Sequence, residues 1–324
     1  MIRLFATACV TLLWTAAGAT QPDAAANFPQ RPIRFVIGFT PGGGPDITAR
    51  FIGQKLAERW RQQVVTDNRP GAGGTIAANI VANANPDGYT LLSVSNAHAV
   101  AAAIYAKLPY DTVRDFAGIT MTASGPALLL VSPNIGVKSA KDLIALAKAK
   151  PGQLNYSSAG VGSGAHFAAE LFKNMAGIDV VHVPFKGIPE AITETMSGRV
   201  QFFLSPLASA LNLVREGRAQ AVGVSGVKRA PQLPDIPTIA ESGLPGYRFE
   251  YWYGMLAPAK TPRAIVEKLN REITDIMKSE DLRSRWIALG VEPVPMTPQE
   301  FDKWIRDDIA TSTRLARAAN IKAD

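Results

Sequence analysis

Short apolar runs alternate with segments of helical periodicity along almost the whole chain, and this alternation restricts the fold more than any single motif does. The runs are IRFVIGF (33–39), VVTDN (64–68), YTLLSVS (89–95), ALLLVSP (127–133), LNYSSA (154–159), VVHVPF (180–185), VQFFLS (200–205) and QAVGVS (220–225). Each has the length of a strand rather than of a helix. Between them Ile47, Phe51, Ile52, Leu56 and Trp60 recur at helical spacing, as do Phe167, Leu171 and Met175. Such an order predicts an α/β protein with largely parallel sheets, because parallel strands need a crossover long enough to hold a helix.

Stops and caps divide the chain further. Ser139 with Asp142 has the spacing of a capping box opening SAKDLIALAKAK, and Pro151–Gly152 closes that helix. Beyond Thr261 the pattern turns helical, in PRAIVEKLNREITDIMKS (262–279) and PQEFDKWIRDDIATSTRLARAA (298–319), after a last strand signal in YWYGML (251–256). A helical tail of this kind packs back on an existing sheet. The expected organisation is therefore one discontinuous lobe, residues 27–126 with 252–324, and a second lobe of residues 127–251.

The first 26 residues read as a secretory signal rather than as part of the fold. Arg3 supplies a basic start, LFATACVTLLW an apolar stretch, and AGA (17–19) or AAA (24–26) a small-residue cleavage site. The single cysteine, Cys9, lies inside that apolar stretch, so the exported chain carries no disulfide or thiol chemistry. A hydrophobic content of 47% is more than one small core needs, which again points to two domains. The net charge of +7 favours acidic partners. Basic residues are scattered without aromatic platforms, so no nucleic-acid partner is expected.

Two glycine-rich turns carry the strongest chemical signal. FTPGGGPDITAR (39–50) and YSSAGVGSGAHFAAELF (156–172) both run strand, glycine turn, helix, one in each expected lobe. Such turns place unpaired backbone N–H groups and the positive end of a helix at one spot, which favours an anion. Open α/β sheets bind ligands beyond the carboxyl ends of their strands, so two such turns facing across a cleft would grip a carboxylate. The plain alternative is that the glycines only shape tight turns. Asp46 and Ser163 are placed to cap the helices that follow; Asp46 itself would repel an anion.

Other chemistries fit less well. GVGSGA (160–165) has the dinucleotide spacing G-x-G-x-x-A, but LNYSSA is polar for a buried strand and VVHVPFK ends without the acidic residue that holds a ribose. There is no G-x-x-x-x-G-K-[ST], G-x-S-x-G or H-E-x-x-H, and the only histidines are His98, His166 and His182. Ser163 and His166 could meet at a helix start, which keeps open an exported enzyme acting on a carboxylate. No acid is placed to orient the imidazole, so a structural or ligand-contacting role is favoured. His182, within an apolar strand, reads as a core histidine. No metal site and no cofactor are expected.

FPQRPIRFVIGFTPGGGPDITAR, NRPGAGG (68–74), NPDGYTLL (85–92), SSAGVGSGAH (157–166), VPFKG (183–187), LPDIPTIAESGLPGY (233–247) and LAPAKTP (256–262) together resemble the Bug family. These are the substrate-binding proteins of tripartite tricarboxylate transporters, and the match runs from Phe28 to the C-terminus in family order. The resemblance implies a type II periplasmic binding-protein fold, with two lobes closing on a small carboxylate. It also implies a periplasmic, monomeric receptor that serves membrane permease subunits, or a sensor protein, and is not an enzyme.

Carried onto this chain, the family's two carboxylate-holding loops correspond to Thr40–Asp46 and Ser157–His166. The expected main-chain donors are Gly42, Gly43, Gly44, Gly162 and Ser163. Side-chain contacts are expected from Thr40, Ser95, Ser158, Ser163 and His166, with Asp46 also in the site. Specificity is expected from Phe39, Phe185 and Ser205, and apolar walls from Phe39, Phe185, Tyr251 and Trp252. Phe185 stands where the family often has tyrosine, and Gln201 where aspartate is frequent. Loss of a hydroxyl and of a negative charge argues against an amino-bearing ligand and for a dicarboxylate or aromatic carboxylate.

Overall fold

The computed structural model describes residues 25–323. Of the expected signal segment only Ala25 and Ala26 fall within these residues, and Cys9 lies outside them. Among the described residues no helix is long and apolar enough to cross a membrane.

In chain order the elements are β1 (Ile33–Ile37), α1 (Gly44–Trp60), β2 (Val64–Asn68), α2 (Thr75–Ala82), β3 (Thr90–Ser95), α3 (Ala97–Ile104) and β4 (Phe116–Val131). There follow α4 (Ala140–Ala149), β5 (Asn155–Ser158), α5 (Gly164–Ala176), β6 (Val181–Pro184), α6 (Ile188–Met196), β7 (Phe202–Pro206), α7 (Leu207–Arg215) and β8 (Gln220–Val224). The chain ends with β9 (Glu250–Pro258), α8 (Arg263–Met277), α9 (Glu280–Ala288), β10 (Glu292–Pro293) and α10 (Pro298–Ala318). All eight expected strands are present. Two differences stand out: β4 begins at Phe116 rather than at residue 127, and the sheets are mixed rather than largely parallel, because β4 and β9 pair antiparallel with their neighbours.

That extra length organises the molecule. Residues 116–126 of β4 pair antiparallel with β9, whereas residues 127–131 pair with β7 on one side and β8 on the other. One sheet therefore runs β2-β1-β3-β9-β4-β10 and the other β8-β4-β7-β5-β6, joined only through β4. Parallel pairing is kept where a helical crossover connects the strands: β1 with β2 and β3, and β5 with β6 and β7. Its segment from Phe116 to Pro126 contains Thr120, Thr122, Ser124 and Gly125, which dilute the apolar signal.

Each sheet buries its own faces. Ile52 and Leu56 of α1 lie fully buried against the first sheet with Phe35, and Phe172 of α5 packs 5.9 Å from Phe202 of β7 in the second. Burying one such side chain contributes roughly 1.5–3 kcal/mol. Ser139 caps α4 by accepting the Asp142 N–H at 3.1 Å, as its spacing predicts. The C-terminal helices lie on the first sheet and are tied to it by specific bonds. Asn270 Nδ2 donates to the Ile119 carbonyl at 2.7 Å, and Asp302 Oδ1 accepts the Gly118 N–H at 2.7 Å.

Where β4 changes sheets, Ser225 joins three stretches of chain. Its Oγ accepts the Ala127 N–H at 2.7 Å and donates to the Phe249 carbonyl, while its own N–H donates to Ala127 O at 2.9 Å. Ser225 is fully buried, so Ser225→Ala strands the Ala127 N–H without an acceptor. The expected loss is about 1–3 kcal/mol of unfolding free energy, read from urea denaturation. A loss too small to resolve would show that the junction does not depend on this hydroxyl.

Candidate ligand cleft

The two glycine turns adopt one arrangement. In the first, Gly43 is the N-cap, Gly44 opens α1, and Asp46 sits in its first turn; in the second, Ser163 is the N-cap, Gly164 opens α5, and His166 occupies the matching position. Each of these first-turn side chains reaches back four residues. Asp46 Oδ2 accepts the Gly42 N–H at 3.0 Å, and His166 Nδ1 accepts the Gly162 N–H at 3.3 Å. Gly42 and Gly162 both have positive φ, +89° and +80°, which turns their N–H groups toward those side chains and favours glycine there.

This corrects the expected donor set. The N–H groups of Gly42 and Gly162 are taken by Asp46 and His166, and that of Ser163 by the Gly160 carbonyl at 3.1 Å. The Asp46 N–H goes to Gly43 O at 3.0 Å, and the His166 N–H to Ser163 Oγ at 3.2 Å. Pro45 has no N–H. Among the described residues, the N–H groups left without a partner at the two helix starts are those of Gly43 and Gly44 on one side and Gly164 and Ala165 on the other. Gly164 and Ala165 escape sequence reasoning because their availability depends on which neighbours are already bonded.

All four residues line one cavity, together with Ser95 from β3, Ile188 from α6, and Tyr251 and Tyr253 from β9. No charged side chain lines it. Both helices point their positive ends into this space. Tyr253 is buried, and its hydroxyl has no hydrogen-bond partner among the described residues. Three further bonds cross between the two sets of elements at the rim: Thr40 Oγ1 to Glu190 Oε2 at 3.2 Å, Ser209 Oγ to Gly42 O at 3.2 Å, and Tyr105 Oη to Val161 O at 3.4 Å.

Phe39, Gly43, Gly44, Ser95 and Ser163 of the expected site residues line the cavity. Thr40 is engaged with Glu190. Asp46 is not the N-cap: its buried carboxylate holds Gly42, Arg50 Nε at 2.9 Å and Asn68 Nδ2 at 3.0 Å. Burial works to raise its pKa, but Arg50, the Gly42 N–H and Asn68 together hold it below the usual carboxylate range. Ser158 Oγ is bonded to His182 Nε2 at 2.6 Å and to the Gly160 N–H at 3.0 Å, and Ser205 Oγ to Pro206 O at 3.1 Å. Ser158, His166, Phe185 and Ser205 thus lie behind or beside the lining.

Two expectations about walls and charge are corrected. Strand alternation sends Tyr251 and Tyr253 toward the cavity and Trp252 away from it, where its Nε1 donates to Asp308 Oδ2 at 2.7 Å. Gln201 is at the far end of β7 from the cleft, accepting the Asn155 N–H through Oε1 at 2.8 Å. Its identity therefore says nothing about charge beside a ligand. Ser163 and His166 meet only through the helix cap, so they do not form a nucleophile–base pair.

Behind the second turn the imidazoles of His166 and His182 stack 4.3 Å apart, and Tyr156 stacks on His182 at 4.8 Å. Burial, with His166 and Lys173 nearby, lowers the His182 pKa to about 3. Burial also lowers His166, and it takes His98 down to about 4. All three are neutral at pH 7. In the unfolded chain they take up protons near pH 6.5, which the native state refuses, so stability falls as pH drops below about 6.5. Buried Asp308, raised to about 6, acts in the opposite sense over the same range.

His182→Gln, which keeps a polar group near the Nε2 position, isolates the histidine contribution. Relative to this variant, the unmodified chain should lose at most roughly 1.4 kcal/mol per pH unit below pH 6.5 in denaturant titrations. Parallel pH profiles would refute the assignment. Gly44 offers a second check, because an added Cβ would lie 2.1 Å from Tyr253 Cζ. Gly44→Ala should lower the thermal midpoint by several degrees; an unchanged midpoint would refute this close approach.

Comparison with known proteins places the chain in a family. The profile of the TctC family, the tripartite tricarboxylate transporter family receptor, matches residues 48–321. Protein BugT of Bordetella pertussis is 32% identical over 324 residues, covering 99% of this chain and 99% of BugT. Among solved structures, R. palustris Rpa4515 with adipate superimposes with a TM-score of 0.88 at 35% identity, covering 91% of this chain and 99% of that one. MatC from Rhodopseudomonas palustris with bound malate gives 0.85 at 32% identity, covering 89% and 99%. The chain belongs to the tripartite tricarboxylate transporter family receptors, the TctC or Bug proteins, and has their two-lobed periplasmic binding-protein fold.

Proposed function

We propose that this protein is a periplasmic receptor that captures a small organic carboxylate by closing two lobes, residues 27–126 with 252–324 and residues 127–251. One observation carries the reading: four main-chain N–H groups, at Gly43, Gly44, Gly164 and Ala165, are left unpaired around one cavity at two opposed helix starts. A carboxylate has two oxygens with about four acceptor sites, matching this donor set without a cationic side chain. Tyr253 Oη and Ser95 Oγ add hydroxyl donors, and Phe39, Ile188 and Tyr251 supply the apolar wall. Adipate in Rpa4515 and malate in MatC are ligands of the same chemical kind.

Asp46 and His166 act through the turns. By holding Gly42 and Gly162 they aim the next amides at the ligand, and pairing with Arg50 keeps the negative charge of Asp46 off it. Since half the donors come from each lobe, only the closed form makes all the contacts, and ligand shifts the open–closed equilibrium toward it. The closed form is then presented to the membrane permease subunits of a tripartite transporter, or to a sensor.

The test is thermal unfolding of the exported chain, stripped of ligand, against mono-, di- and tricarboxylates, aromatic acids, acidic amino acids and nucleotides. A bound acid at about 100 times its Kd should add roughly 2.7 kcal/mol and raise the midpoint by a few degrees. The acid should be recovered unchanged. Conversion to product would support an enzyme, and a response to nucleotides alone would overturn the carboxylate reading.

A further inference from the structure

A groove of about 420 Å³ lies where β4 passes from one sheet to the other, and the cleft makes no use of it. Its floor holds Ser124 and Pro126 of β4 and Glu250 of β9. In the β4–β9 register Ser124 stands opposite Trp252 and Pro126 opposite Glu250, so these side chains share one face of the two strands. Tyr251 and Tyr253 point to the other face and line the cleft. Groove and cleft are therefore back to back, with the crossing strands between them.

The two walls of the groove come from different lobes of the proposed receptor. Residues 226–232, after β8, form one; Ile287 at the end of α9 and residues 290–292, leading into β10, form the other. They touch at two places. Gln232 Nε2 donates to the Ile287 carbonyl, among the described residues the one hydrogen bond between these walls. Gly290, at φ +73°, passes so close to Leu207 of α7 that an added Cβ would stand 1.8 Å from Leu207 Cδ2. Elsewhere the walls stand apart, and apolar side chains on both are open to water: Val227 is 68% exposed and Ile287 45%. Glu250 on the floor and Glu292 on one wall form no ion pair among the described residues.

We infer that this groove is the counterweight to the cleft, a device built into the fold that sets how readily the receptor closes. The inference rests on two-lobe closure as proposed above. A rotation about the crossing strands that parts the lobes on the cleft face brings the walls together on the groove face. Opening then covers Val227 and Ile287, a hydrophobic gain that favours the ligand-free open form. Closing uncovers them and sets Gln232 on the Ile287 carbonyl. Ligand affinity reports the difference, because a receptor that is closed for only a fraction of the time binds more weakly by that fraction. Side chains on the groove thus tune affinity without touching the ligand.

Val227→Asp removes the apolar gain of opening and sets a third carboxylate against Glu250 and Glu292 as the groove narrows. Adipate and malate, titrated calorimetrically into the exported chain, should then bind at least about 5-fold more tightly. The ligand-free variant should also give a smaller radius of gyration in X-ray scattering than the unmodified chain. Gln232→Ala should act the other way, weakening both acids about 2- to 10-fold, the equivalent of one net hydrogen bond. Thermal midpoints check folding; a merely structural defect lowers the midpoint without tightening binding. Binding no tighter in Val227→Asp, an unchanged radius, or tighter binding in Gln232→Ala overturns the counterweight and leaves the receptor reading intact. If the unmodified chain binds no acid, in titration or in the thermal panel, the receptor reading falls, while the scattering comparison, which needs no ligand, still decides the groove.

Discussion

Four amide N–H groups without acceptors among the described residues, at two opposed helix starts, are the constraint around which the cleft is arranged. A buried donor without a partner costs about 1–3 kcal/mol, a penalty that an acceptor placed among these amides would remove. The penalty is created on purpose by neighbouring bonds. Asp46 and His166 take the amides of Gly42 and Gly162, leaving Gly43, Gly44, Gly164 and Ala165 facing one cavity. An acid and a neutral imidazole perform the same task, because each offers an acceptor at the same distance from its backbone. Only the acid needs neutralising, which explains Arg50 and Asn68 beside Asp46 and their absence beside His166.

The donors can be opposed because β4 belongs to two sheets. Its partners change between Pro126 and Ala127, and the hydroxyl of Ser225 ties this point to Phe249, just ahead of β9. The two sheets are thus linked by a few neighbouring residues, while the carboxyl ends of β1 and β5 face each other across the gap. Closure is supported at the rim by polar bonds such as Thr40 to Glu190 and Ser209 to Gly42, which are exposed and therefore weak. In the proposed receptor, such weak rim bonds would leave the ligand to decide the balance between open and closed forms.

Much of this was legible in the chain. The eight apolar runs become strands, the tail becomes helices on the first sheet, and the echo between GGGPD and GSGAH becomes two turns with matching cap and first-turn positions. Three things were not. The start of β4 is masked by threonine, serine and glycine, which bury in a strand only because β9 and the C-terminal helices cover them. Trp252 looks like a cleft wall until the register of β9 sends it to Asp308. Gln201 and Phe185 were expected to tune the ligand, yet neither lines the cleft cavity.

Alternation and glycine spacing, both local properties, were sufficient by themselves to determine an α/β chain with two anion-favouring helix starts. Which amides remain free, and which tyrosine is packed against the first glycine turn, were decided by tertiary structure alone. Each depends on contacts between residues far apart in sequence, such as Tyr253 against Gly44 and Phe39 against Gly74. A hydrogen-bond donor is available to a ligand only when nothing else in the fold has taken it. That is a property of the whole packed molecule, and no window of sequence contains it.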